Sequence, residues 1–351
     1  MPTDTMKALR KPRPERGAVI ESVPIPTFGP TDVLVRVRAA SICGTDLHIY
    51  DWDQWSASRI HPPMTFGHEF CGVVEKIGDE VDSVRPGDFV SAEMHLSCGH
   101  CRPCRAGQQH LCQNVRILGL DGDGCFAEFV RIPARNIWKI DPAIPEHYAA
   151  ILDPLGNAVH TVLSGEIAGQ NVVVTGAGPI GLMAIAVARA CGCALVIVTE
   201  VNAHRRELAK KMGADEALNP NQSGVVQHVR DATGGGADVL LEMSGHPAAI
   251  RQGFQILRSG GRASLLGIPK EPVTLDLVND VILKGATVHG IFGRKMFETW
   301  VQMTELLKHG KLNLEPLFNE RLPLEKFADA FSLLEAGKAG KILLYPNGSL
   351  K

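Results

Sequence analysis

What this chain lacks removes several classes of function. Positive charge is not in surplus: the formal net charge is -2 and aromatics make up only 5% of residues, so there is no basic surface for nucleic acid. No apolar stretch reaches the roughly 20 residues that a spanning helix needs. The longest, around Leu182 to Ala190, is interrupted by Arg189 and flanked by glycines, and no membrane association is expected. No apolar run near Met1 resembles a signal peptide, and nine cysteines is an odd number for a disulfide framework. Both absences fit a reducing, cytoplasmic compartment. Internal repeats and low-complexity tracts are also missing.

With 351 residues, the chain is long enough for two domains with sizeable cores. Residues 1 to about 153 are rich in valine, glycine and turn residues. Alternating runs such as Val33-Leu-Val-Arg-Val-Arg38 and Cys71-Gly-Val-Val-Glu-Lys-Ile77 read as short strands. Beyond Pro154 the pattern changes to apolar strands alternating with helical segments: Val172–Thr175, Leu195–Thr199, Val239–Leu241 and Arg262–Leu266 as strands, with a helix over Ala248–Leu257 and an apolar run from Thr287 to Phe292. That alternation predicts an α/β doubly wound parallel sheet. After Gly293 the rhythm breaks, and helical patterns at Met296–Leu307 and Leu324–Leu334 and a closing strand Lys341–Tyr345 are expected to return the chain to the first domain.

Two cofactor signatures stand out. Cys98, Cys101, Cys104 and Cys112 form a C-x2-C-x2-C-x7-C cluster. Four soft sulfurs able to converge on one tetrahedral ion, with no open position, make a closed structural zinc site that holds a loop. Separately, Gly176-Ala-Gly178-Pro-Ile180-Gly181 follows a β-rich run and opens a helix, the context of a dinucleotide fingerprint. Gly176 allows the turn, Gly178 lets the backbone approach a pyrophosphate, Gly181 permits close helix packing, and the amide of Ile180 lies on the same turn. Glu200 ends the next strand, 22 residues after Gly178, where a carboxylate accepts from adenosine ribose hydroxyls and repels a 2′-phosphate. This favours NAD over NADP, although Arg205 and Arg206 offer charges that would neutralise such a phosphate.

Outside the four-cysteine cluster, Cys43 and the pair His68-Glu69 supply a thiolate, an imidazole and a carboxylate. A second metal, with a position left for substrate oxygen, is the inference. Taken singly, Cys43 also reads as a small core residue and His68 as a satisfied structural histidine. Cys71, Cys125, Cys191 and Cys193 read as buried or incidental thiols.

Gly67-His68-Glu69-Phe-Cys-Gly72, with Gly78 and Val81 behind it, resembles the signature of the zinc-dependent medium-chain alcohol dehydrogenases. Cys43, the four-cysteine lobe and the late Rossmann fingerprint fall in that family's order over essentially the whole chain. The resemblance implies a β-rich GroES-like catalytic domain over 1–153 and 294–351, its structural zinc lobe at about 95–115, and a Rossmann domain over 154–293. It implies two zinc ions per subunit and a homotetramer. It also implies a catalytic zinc on Cys43, His68 and Glu69, with Asp153 as an occasional ligand or proton-relay carboxylate; the other reading of Asp153 is a cap before the helix at Pro154.

Four further segments, Trp52–Trp55, Asp153–Thr161, Glu242–Gly245 and Gly293–Trp300, are similar to those of the branch acting on L-threonine. The implied reaction is oxidation of its C3 hydroxyl to L-2-amino-3-ketobutyrate, with the proton leaving through Thr45 and the nicotinamide ribose to His48. Without the resemblance Thr45 reads as a turn hydroxyl and His48 as a surface imidazole. His95 matches a position the family places near substrate. Leu266, Gly267, Ile268, Ile291 and Phe292 end later strands, where backbone groups meet the nicotinamide half of a dinucleotide; otherwise they are core packing. The same metal, relay and fingerprint residues would serve a polyol or 2,3-butanediol dehydrogenase. A zinc-module binding protein is disfavoured by the near-neutral charge and by the intact Cys43, His68 and Glu69.

Overall fold

The structure, a computed structural model, describes residues 4–337 and 340–348. The chain divides into two units, one of residues 1–153 with 318–351 and the other of residues 154–317. The chain therefore re-enters the first unit at Phe318 and not at the expected 294. The reason is packing: Arg294 and Met303 lie against Gly156, whose missing Cβ makes room for them, and Arg294 Nη1 donates to Asn157 Oδ1 at 3.2 Å. The helix Glu298–Lys308, with Trp300 and Met303 fully buried, stays with the second unit.

In the first unit a mixed sheet runs, in spatial order, Ile137–Lys139, Phe89–Ala92, Glu69–Ile77, Asp32–Ser41, Lys341–Tyr345 and Phe318–Pro323, with Phe129–Pro133 also pairing Asp32–Ser41. Val33, Val35 and Val37 alternate into a core with Phe66, Phe70, Phe126 and Phe331, as β-branched residues on a pleated surface favour. Register places Ser41 opposite Glu69, and Leu343 opposite Ser41. Three distant stretches of sequence thereby meet at one sheet position. Two short helices, Gly44–Asp51 and Gln54–Arg59, follow the strand ending at Ser41; the sequence reading of this region as strands alone did not contain them.

The second unit is a six-stranded parallel sheet in the order Glu216–Leu218, Leu195–Thr199, Asn171–Thr175, Ala237–Glu242, Leu257–Leu265, Thr287–Gly290. The central strands are buried along almost their full length, which accounts for their continuous apolar runs. Strand order reverses between Asn171–Thr175 and Ala237–Glu242, so the carboxyl ends Thr175, Thr199 and Glu242, which lie in register, flank the crevice where such sheets bind ligands. Among the described residues no helix is long and apolar enough to cross a membrane.

Arg262 ties the sheet to the first helix of this unit. Its buried guanidinium donates to the carbonyls of Val162 (3.1 Å) and Glu166 (3.2 Å) and to the hydroxyls of Ser164 and Ser264 (2.6 Å each), satisfying carbonyls that the end of the helix Leu152–Val162 leaves open. Arg262→Leu strands these acceptors away from water. It is expected to lower the unfolding free energy by about 3 kcal/mol, measured by urea denaturation.

Candidate active site and metal centres

Sheet register creates the first cluster. Cys43 follows the strand ending at Ser41, and Glu69 opens the paired strand, so Cys43, His68 and Glu69 bring ligand atoms within 4.8 Å of one another. Asp46, fully buried one helical turn on, accepts from the Cys43 amide at 2.8 Å through Oδ2. Its Oδ1 lies 3.6 Å from His68 Nδ1, the arrangement that orients a metal-binding imidazole through its other nitrogen. Lys341, almost fully buried, reaches in from the last strand and bonds Glu69 Oε2 at 2.5 Å and the Ile42 carbonyl at 3.2 Å.

The charge balance of this cluster tests whether a divalent cation fits. Among the described residues, buried Asp46, Glu69 and Asp153 and the Cys43 thiol face Lys341 and His68. Burial alone would lower the His68 pKa, yet Asp46, Cys43 and Asp153 outweigh it and raise it to about 10. Burial lifts Asp46 to about 6 against the pull of His68. The pocket thus demands more positive charge than Lys341 brings. Among the described residues Glu69 Oε1 has no hydrogen-bond partner, a costly state for a buried polar atom. A sulfur, a nitrogen and an oxygen at that spacing suit zinc.

Asp153, the second residue of the helix Leu152–Val162, is buried. It lies outside the set whose ligand atoms converge, but close enough to act on the charge of His68. Thr45 Oγ1 is 3.8 Å from Cys43 Sγ, which puts the hydroxyl beside the cluster. His48 lies one turn further along the same helix, its side chain 44% exposed. His95 is buried at the start of the cysteine lobe, its amide donating to Glu93 Oε1 at 2.9 Å.

In the lobe itself, the sulfurs of Cys98, Cys101, Cys104 and Cys112 lie within 4.8 Å of one another. Bonds of about 2.3 Å to a tetrahedral centre put sulfurs about 3.8 Å apart; Cys101 Sγ and Cys112 Sγ are 3.9 Å apart. The backbone amides of His100 and Cys101 pull the Cys98 thiol down to about 6, while burial, helped by neighbouring sulfurs, pushes Cys104 up to about 12. Further amides, of Cys98 and Asn114, point at Cys112 Sγ (3.2 and 3.4 Å). Four sulfurs held this close with amides aimed at them fit a thiolate-bound metal ion.

The second unit presents a dinucleotide cradle. Gly176 has φ +89, and a Cβ there would press on Ser244 at 2.8 Å; a Cβ on Gly181 would sit 2.1 Å from the Gly176 carbonyl. Gly178 caps the helix Pro179–Ala190 and faces open space, with Ile180 in the first turn, where amides and helix dipole favour phosphate. Beside them lies a cavity of about 250 Å³ lined by Gly176, Glu200, Val201, Pro220, Ser244 and His246, among others. Glu200 has a task the sequence did not reveal. Its Oε2 accepts from the Ala177 amide and Oε1 from the Asn202 amide, both at 2.8 Å, so it clamps the glycine turn to the end of the next strand. Arg206 Nη1 donates to the carbonyls of Glu200 (2.8 Å) and Val201 (2.7 Å); the Arg205 amide is capped by Asn202.

Sequence reasoning missed Asp46, Lys341, Asp53 and the role of Glu242. The buried Glu242 carboxylate gathers the Ser244 hydroxyl (2.5 Å) and the amides of Ser244 (3.0 Å) and Gly245 (3.1 Å), while its carbonyl takes the amides of Leu266 (3.0 Å) and Gly267 (3.1 Å). It thereby fixes the loops around the crevice. Ile268 and Phe292 are exposed, and the Ile291 amide bonds Leu265.

Comparison with known proteins agrees with this geometry. Residues 179–309 match the zinc-binding dehydrogenase family and residues 29–142 the alcohol dehydrogenase GroES-like domain. The chain is 51% identical to an L-threonine 3-dehydrogenase of Bacillus licheniformis, over 97% of this chain and 99% of that one. It is 50% identical to an L-threonine 3-dehydrogenase of Pyrococcus horikoshii with the same coverage. The crystal structure of 2R,3R-butanediol dehydrogenase from Bacillus subtilis superposes with a TM-score of 0.89 at 29% identity, over 97% of this chain and 100% of that one.

The two metal clusters should fail differently on substitution. Cys43→Ser is expected to keep the fold while losing one zinc ion per chain and nearly all turnover; Cys101→Ser should mainly lower the thermal midpoint. Metal analysis and calorimetry check both, and a single metal ion per chain in fully active, zinc-reconstituted enzyme counts against two centres.

Proposed function

The chain belongs to the zinc-dependent medium-chain dehydrogenases, and from that membership we propose that it oxidises the C3 hydroxyl of L-threonine to L-2-amino-3-ketobutyrate with NAD. What carries this reading is the 51% identity, nearly end to end, with an L-threonine 3-dehydrogenase; the Cys43–His68–Glu69 set, whose ligand atoms converge, supplies the matching chemistry. Zinc held there by Cys43, His68 and Glu69 would supply a Lewis acid for the alcohol oxygen, and NAD would supply the hydride acceptor. The second zinc, on Cys98, Cys101, Cys104 and Cys112, has a structural role.

The chain's own groups do the rest. Asp46 orients the His68 ring. Lys341 holds one oxygen of Glu69 and leaves the other unbonded. The Thr45 hydroxyl, beside Cys43, accepts the alcohol proton while giving up its own toward His48, which, partly exposed, delivers it to solvent. Asp153 tunes the metal site or ligates as a fourth member, and His95 helps to recognise the amino acid. In the second unit Gly176, Gly178, Ile180 and Gly181 cradle the pyrophosphate. Backbone groups of Leu266, Gly267 and Ile268, and of Ile291 and Phe292, at the ends of two later strands, serve the nicotinamide half, the amides of Leu266, Gly267 and Ile291 being already bonded to strand-end carbonyls. Each carboxylate oxygen of Glu200 already accepts one amide and keeps a second lone pair for a ribose hydroxyl; Arg205 stands beside it.

We assign the enzyme to the cytoplasm as a homotetramer. Self-association is supported by the edge strand Thr287–Gly290, with Val288 exposed, and by the neighbouring turn, where Leu277, Val278, Ile282 and Leu283 are at least half exposed. Uncovered edges and apolar patches of this kind are normally sheathed. Spectrophotometric NAD reduction should be strong with L-threonine and weak with D-threonine, L-allo-threonine, butanediol and sorbitol; faster turnover of the diol or polyol would move the assignment to that branch. Light scattering on the same preparation should give four chain masses.

Glu200→Ser should raise the use of NADP relative to NAD, read as the ratio of the two kcat/KM values. Because the carboxylate also clamps the Ala177 and Asn202 amides, NAD affinity should fall as well. Equal use of both cofactors by the unsubstituted enzyme would remove the discriminating role of Glu200.

A further inference from the structure

The Trp52–Trp55 segment stands out in the sequence, and the structure shows what it does. The helix Gly44–Asp51 ends at Trp52, whose φ of 58 and ψ of 50 lie in the left-handed region, where a bulky residue is rare and costs energy. Lys11 supports this turn: its ammonium bonds the Tyr50 carbonyl at 3.1 Å and lies 5.1 Å from the centre of the Trp52 ring. The reversal brings Asp53 back against the helix, with Oδ2 2.6 Å from His48 Nδ1. The other oxygen, Oδ1, accepts the Ser56 amide at 3.0 Å and caps the helix Gln54–Arg59. Trp55 lies beside the imidazole, ring centres 5.9 Å apart and planes tilted by 58°.

We infer that Asp53 is a positioning residue for proton transfer: it selects the His48 tautomer that carries its proton on Nδ1 and leaves Nε2 bare to accept one. The inference rests on the reading of His48 as the end of the proton path. An ionised carboxylate only accepts hydrogen bonds, so a neutral imidazole 2.6 Å from it must donate from Nδ1. When Nε2 takes up the alcohol proton, the imidazolium rests against a carboxylate already in place. The side chains are 44% and 39% exposed, so the pair adds little stability; its effect lies in tautomer and ring orientation.

Asp53→Asn separates the two tasks of this carboxylate. Asparagine caps helices as well as aspartate does, and to keep the Ser56 amide its oxygen must stay at the Oδ1 position. Its amide nitrogen then faces His48 Nδ1, making the ring accept there and carry its proton on Nε2, so that Nε2 has no lone pair for the incoming proton. The test uses full-length, zinc-replete enzyme with NAD and L-threonine. For Asp53→Asn, kcat is expected to fall about 10- to 100-fold, with the KM values for both substrates and the thermal midpoint close to the unsubstituted enzyme. Nitrogen NMR of histidine-labelled enzyme should show the His48 proton moving from Nδ1 to Nε2. Asp53→Ser, which caps but does not reach the ring, should cost less. In a His48→Gln background, Asp53→Asn should cost little more. If His48→Gln leaves kcat unchanged, the proton-path reading fails. If His48→Gln impairs turnover while Asp53→Asn retains full kcat and an Nδ1 proton, the inference about Asp53 is overturned on its own.

Discussion

Everything about the candidate active site follows from a concentration of buried negative charge that the protein does not neutralise by itself. Asp46, Glu69, Asp153 and the Cys43 thiol meet within the first unit, with Lys341 and His68 set against them. In a low-dielectric interior such an imbalance is expensive, and a bound cation would offset it. His68 shows the direction of the imbalance: burial would lower the pKa of the ring, yet Asp46, Cys43 and Asp153 raise it to about 10. The same groups fix side-chain directions: Asp46 lies against one side of His68 and Lys341 holds one oxygen of Glu69.

The second unit uses carboxylates for a different purpose. Glu200 and Glu242 sit at the ends of two strands of the parallel sheet, and each gathers backbone amides from the loops that follow. Turns that approach a phosphate closely cannot be stiffened by side chains of their own, because glycine has none. Anchoring them from the neighbouring strand supplies the rigidity that a pre-organised binding site needs.

Much of this was legible in the sequence, and what was not has physical reasons. Valine runs gave the strands in nearly their observed places, and the spacing of Cys98, Cys101, Cys104 and Cys112 announced the lobe, because ligands close in sequence constrain one another. The fingerprint at Gly176 was readable because strand, turn and helix are contiguous. Lys341 was not, since its partner Glu69 is 272 residues away and only sheet register brings them together. Asp53 lies close to His48, but its reach depends on a left-handed Trp52 that no propensity favours. The return of the chain at Phe318 was misplaced for a related reason: the helix Glu298–Lys308 has an ordinary amphipathic pattern, and only the void at Gly156 says which core it joins.

The Lys341–Glu69 pair also sets an order of events for the growing chain. Cys43, His68 and Glu69 leave the ribosome early, followed by the whole second unit, and only then by the strand that carries the lysine. Until that strand slides in beside Asp32–Ser41, the sheet has an open edge and Glu69 lacks its counter-charge. The Cys43–His68–Glu69 cluster therefore reaches its final geometry only once the strand that carries Lys341 has emerged, with the second unit folding as an insert inside an unfinished first one.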